Sequence, residues 1–208
     1  MKKLFSVLFL GLILPFQLQA KRIEGKILLE NDTVNVVFEI PYNLFSQEPN
    51  YKKLQYKVRY YDSIGIKKTL KPGEAREIRF IHNNVKIRML SRPNSLAIED
   101  VYSFKSNIFL KLELDGVLKL FSYYTSNSIP VVYNSSSGTT GIYTENIEKF
   151  VLQKGNGQLK QPKSLSFRKD MADYLKDCPD LSHKIENQEF GKKDMSAIVI
   201  YYNANCTN

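Results

Sequence analysis

From Arg22 to about Lys160 the apolar positions recur with a period of two, the spacing of β-strands with one buried face. IEGKILLE and TVNVVFEI flank Asn31-Asp32, which suits a tight hairpin turn. Pro41 to Asn50 follows as a loop. LQYKVRYY alternates apolar and polar side chains, Asp62 to Gly65 turns, and IKKTL returns. After the connection LKPGEA, REIRFI and VKIRML flank His82-Asn83-Asn84, which places His82 at a hairpin tip. NIFLKLEL and VLKLFSYY flank Asp115-Gly116, the clearest two-residue turn in the chain. In the first of these strands Leu110, Leu112 and Leu114 are expected on one face, with Lys111 and Glu113 on the other. Thr125 to Gly141, containing NSSSGTTG, has the composition of a flexible connection. IEKFVLQK and QLK then flank Gly155-Asn156-Gly157. Eight to ten strands joined mainly by short turns predict an antiparallel meander, an open curved sheet or a barrel.

After Pro162 the period lengthens. Ser166 can cap a helix carrying Phe167, Met171, Tyr174 and Leu175 on one stripe. Pro179 stops that helix and fits the first turn of another, carrying Leu181 and Ile185. Gly191 breaks the second helix, and Asp194 is placed to cap a third with Met195, Ile198, Val199 and Tyr202. Helices this short need packing partners. The expected fold is α+β: an antiparallel β-rich domain over residues 21–162 and a helical segment over 163–208, packed on the sheet.

The N-terminus changes the picture from fold to compartment. Lys2 and Lys3, an apolar run from Leu4 to Phe16, and small Ala20 form the pattern of a cleaved signal peptide over residues 1–20. The apolar run is too short to span a bilayer, where about 20 residues are needed. No later stretch is apolar enough to do so. No cysteine follows the cleavage site, so a lipoprotein anchor is not expected. The implied location is the periplasm or the extracellular space. The formal charge of +9 permits contact with anionic partners, but the basic residues are scattered and first read as solvated strand faces.

Candidate chemistry concentrates in DMADYLKDCPDLSHKI, which brings Cys178, His183 and four aspartates together. A thiol nucleophile needs its histidine within hydrogen-bond reach. Five residues of helix turn through about 500°, which sets Cys178 and His183 on different faces. Cys178 has a better partner in Cys206, the other cysteine, and in an exported chain an even count predicts a disulfide. Asp170 and Asp180 fit first helical turns, Asp177 is placed to cap the helix at Pro179, and Asp173 faces solvent. The two histidines stand 101 residues apart, with no H-E-x-x-H or paired C-x-x-C, so no metal ligand set and no cofactor is expected. Glu24, Glu39, Glu77, Glu113 and Glu145 lie on predicted strands, and sequence leaves open which of them converge. In Tyr60-Tyr61 and Tyr123-Tyr124 one ring of each pair is expected in the core and one outside.

Scattered positions over about two thirds of the chain beyond residue 20 resemble a family of uncharacterised secreted proteins of Bacteroidetes-type bacteria. They are Phe167, Tyr174, Asp177-Cys178-Pro179, Leu181, Lys184-Ile185, Ile198-Val199, Tyr202-Asn203 and Cys206, with Leu70, Pro72, Ala75, Glu77-Ile78 and Phe80 upstream. The resemblance implies an exported β-rich protein with a helical tail and assigns no catalytic residue. The expected function is non-enzymatic: binding of an envelope protein or polymer, without specific nucleic-acid recognition. A hydrolase acting through strand carboxylates and a purely structural component are the competitors.

Overall fold

The computed structural model describes residues 20–43, 46–96, 106–132 and 140–207, with the backbone alone over 127–132 and 140–146. The expected signal peptide and the tip of the NSSSGTTG segment lie outside the described residues. Nine antiparallel strands form one open sheet: β1 (Lys21–Leu28), β2 (Thr33–Ile40), β3 (Val58–Tyr61), β4 (Lys67–Leu70), β5 (Glu77–His82), β6 (Val85–Pro93), β7 (Asn107–Leu114), β8 (Leu118–Val132) and β9 (Thr140–Lys154). Their order across the sheet is β4-β3-β2-β1-β5-β6-β7-β8-β9. Each neighbour follows its neighbour in sequence except at β5, where the chain returns from the β4 edge to pair with β1. The helices are α1 (Tyr51–Leu54), α2 (Phe167–Tyr174), α3 (Pro179–Glu186) and α4 (Met195–Asn205), the last entered through a 3-10 turn. Among the described residues no helix is long and apolar enough to cross a membrane.

The period-two pattern sorts side chains onto two faces, and the two faces are covered differently. On one face Ile27, Phe38, Ile78, Phe80, Met89 and Phe109 form a core under Leu54 of α1. Farther along that face Leu118, Leu120 and Leu152 receive the apolar stripes of α2, α3 and α4. On the opposite face the described residues cover only the β6–β9 end, where Ile108, Leu110, Phe121 and Val151 pack with Leu96 and Leu159. Full burial of each large apolar side chain contributes about 2 kcal/mol. Gly25 of β1 lies beneath the Phe38 ring, and a Cβ there would meet that ring at 2.6 Å.

Four local expectations are corrected. LQYKVRYY is not one strand: the Asn50 side chain accepts from Lys53 N at 3.0 Å, starting α1, and the strand begins at Val58. Thr125 to Gly141 is not wholly a connection, because β8 and β9 stay paired from Thr125↔Ile147 to Val132↔Thr140. The alternation in β7 breaks at a bulge between Leu112 and Leu114, which sends Leu114 to the helix-covered face while Leu110 and Leu112 join the opposite core. Asp177 does not cap α3, whose cap position is Cys178; it accepts from Lys154 Nζ at 2.6 Å and Tyr202 Oη at 2.6 Å.

Two side-chain amides complete β8 where β7 does not reach. The Gln55 side-chain amide accepts from Tyr124 N and donates to Tyr124 O, and the Gln55 backbone carbonyl accepts from Phe109 N at 3.0 Å. Leu54 and Tyr56, on either side, pack into the cores of opposite faces. The chain therefore passes through a split between β7 and β8, with Gln55 in the plane of the sheet. At the start of β8, Asn203 of α4 accepts from Leu118 N at 2.8 Å and donates to Leu118 O at 2.8 Å.

Candidate functional site

The DMADYLKDCPDLSHKI cluster becomes architecture. Cys178 and Cys206 stand at disulfide distance, with Cα atoms 5.4 Å apart. His183 is exposed on α3. Asp170 accepts from Ser166 Oγ at 2.7 Å, Asp173 pairs with Lys176 at the surface, and Asp180 accepts from the Tyr201 hydroxyl. Burial alone would raise the Asp177 carboxyl; the hydrogen bonds from Lys154 and Tyr202 outweigh it and hold it below the ordinary range.

His82 is a strand residue rather than a tip residue: the turn is made by Asn83 and Asn84, both with positive φ (49° and 61°). Its buried ring links Tyr42 Oη to Nδ1 at 2.9 Å and Glu48 to Nε2 at 3.1 Å. A carboxylate can only accept, so Nε2 carries the hydrogen shared with Glu48. This chain of hydrogen bonds ties the Pro41–Asn50 segment to β5. Among the described residues no group of three His, Cys, Asp or Glu side chains converges as a metal site.

The strand carboxylates separate. Glu113 pairs with Lys111 at 2.8 Å and accepts from Ser122 Oγ. The side chain of Glu145 lies outside the described residues. Glu24, Glu39 and Glu77 share the open face, but the last two are neutralised there. Glu39 meets Lys67 and Arg59, and hydrogen bonding from Lys67 leads in lowering its pKa. Glu77 is nearly buried and receives two guanidinium forks. Arg79 approaches at 2.6 and 3.0 Å, and Arg88 at 2.6 and 3.1 Å. Burial would raise Glu77; Arg88 and Arg79 together reverse the shift and lower it. A glycosidic general acid needs the opposite shift.

This open face carries the sheet's least expected feature. The register places Lys26 opposite Arg79, and Arg79 opposite Arg88, in one row across β1, β5 and β6. Like charges directly opposite on neighbouring strands are destabilising by about 0.2–1 kcal/mol. Glu77 relieves the two arginines, and Arg88 also reaches Asp115 at 2.7 Å. Lys26 has no ion-pair partner among the described residues, and neither has Lys86, farther along β6. The row stands at the meeting of two hollows. One, of about 590 Å³, is lined by Arg76, Arg79, Arg88 and Arg92 with Glu30, Glu74 and Glu77. The other, of about 800 Å³, lies between the β3–β4 and β5–β6 turns, with Lys26, Glu24, Asn35, Ser63 and Lys86 around Val37 and Ile81. Arg79 lines both.

Along the chain these basic residues are scattered. The expected three-residue tip His82-Asn83-Asn84 would set Arg79 opposite Ile87; it is the tighter Asn83-Asn84 turn, joining His82 to Val85, that sets Arg79 opposite Arg88. The Lys26 to Arg79 contact depends on the return of β5 to β1, which no local signal announces. No protein-family model, curated protein or solved structure matches the chain.

Proposed function

We propose that this chain is an exported, non-enzymatic binding component of the cell envelope that takes an anionic ligand on the open face of its sheet. The signal-peptide pattern and the cysteine pair at disulfide distance support export. The observation that carries the ligand class is the in-register row Lys26, Arg79 and Arg88, in which Glu77 offsets the two arginines while Lys26, like Lys86 nearby, has no ion-pair partner among the described residues. Local rules broken without a structural return mark functional sites. The hydrolase reading has less support, because Glu39 and Glu77 are held ionised by basic neighbours.

The test uses the exported protein and its Lys26→Glu/Lys86→Glu variant, which breaks no ion pair. Titrated with sodium sulfate at constant ionic strength, the wild type is expected to gain melting temperature and the variant to gain less than a third as much. Equal gains in the two proteins, or none in either, would contradict the proposal.

A further inference from the structure

We infer that the anionic ligand is an acidic oligosaccharide, bound with one acidic group in the arginine hollow and its hydroxylated remainder in the neighbouring trough; this rests on the anion-binding reading above. The two hollows differ in chemistry and meet at Arg79. In the first, arginines are fixed by protein contacts and still have donors to offer. Arg79 commits Nε and one Nη to Glu77, leaving its other Nη free. Arg92 commits Nε to Gln153 and Nη1 to the Ser91 carbonyl, and Arg76 commits Nε to the Leu29 carbonyl. Guanidinium groups held in place lose little freedom on binding, which favours planar, bidentate capture of a carboxylate or sulfate.

The trough has a different inventory. Glu24, Asn35 and Ser63 bring acceptors and donors with no hydrogen-bond partner of their own among the described residues, and Val37 and Ile81 supply aliphatic surface between them. Hydroxyl groups on a ring with apolar C–H faces match that mixture. A nucleic acid does not: its evenly spaced phosphates would set charge against Glu24 and against Asp62, whose pairing with Lys68 lowers its pKa. Phe80 borders the trough, but its ring is buried against Phe38 in the core of the other face, so no ring is offered for bases to stack on. From Arg92 to Lys86 along β6 is six residues, or about 20 Å at strand spacing, so the ligand is longer than one sugar.

Calorimetric titration of the exported protein would compare four probes: a galacturonate tetrasaccharide, its carboxyl-reduced neutral counterpart, sodium sulfate, and a single-stranded oligonucleotide of equal charge. The acidic tetrasaccharide is expected to bind at least tenfold more tightly than each of the others. Asn35→Ala should weaken it about fivefold and leave sulfate unchanged, whereas Arg76→Gln should weaken both. Sulfate binding as tightly as the tetrasaccharide, or tighter oligonucleotide binding, would overturn this inference and leave the anion-binding proposal standing. Binding of none of the four would overturn both.

Discussion

Glu77 shows how a single buried carboxylate sets the properties of its surroundings. It holds Arg79 and Arg88 together where their like charges would otherwise separate them. Replacing it with Gln should cost about 2 kcal/mol, between the values for a surface and a buried pair because both guanidinium groups keep contact with water. Its folded-state pKa lies below the ordinary 4.5. The stability it provides is therefore complete above about pH 4.5 and is lost as the pH falls through its lowered value. Urea unfolding between pH 3 and pH 7 should show a steeper acid limb for the wild type than for Glu77→Gln. Gln55 is the second residue of this kind. With its amide removed in Gln55→Leu, both Tyr124 backbone groups would be buried without partners, a loss of about 3 kcal/mol. Gln55→Glu should retain the acceptor, lose the donor, and fall between the two in chemical denaturation.

At the scale of elements, legibility follows locality. The hairpins at Asn83-Asn84 and Asp115-Gly116 were legible but not their register: β5–β6 turns through Asn83-Asn84 without the expected His82, and β7–β8 turns through residues 115–117 with Leu114 opposite Leu120, not across the two residues Asp115-Gly116. The three C-terminal helices were legible because Pro179 and Gly191 punctuate a 3.6-residue period. What failed was decided by tertiary contacts. Leu54 reads as part of an alternating strand, yet the core claims it and Gln55 plugs the sheet, so the helix wins. The bulge in β7 cannot be counted from a regular period, and it alone moves Leu114 to the other face. The helical unit depends on β8 through Asn203, whose amide comes so near Gly116 that any Cβ there would collide with it. With φ at +155°, Gly116→Ala should be strained as well as displace Asn203, lowering the melting temperature without changing the cysteines. The expected bridge between Cys178 and Cys206 closes the same unit. Intact mass should rise by about two protons on reduction, and the reduced protein should lose about 3 kcal/mol.

Across the whole molecule, one face of the sheet is used for stability and part of the other is left to solvent. The helices, α1 and the loop segments bury the first face from β1 to β9. On the second face the cover given by the described residues stops at β6, and the row Lys26, Arg79 and Arg88 begins there. That division was only half readable beforehand. Alternation showed that strands had a polar side, but the order β2-β1-β5-β6, which gathers distant cations into one row, comes from the crossover after β4. The central claim is that this row and its two hollows are where the ligand sits. Amide chemical-shift mapping of the protein during titration with a galacturonate tetrasaccharide tests it most directly. The largest shifts are expected in residues 24–28, 76–81 and 86–92, with α2, α3 and α4 unmoved. Shifts centred on the helices or on the Tyr42–His82 contact, or no shifts at saturating ligand, would contradict it.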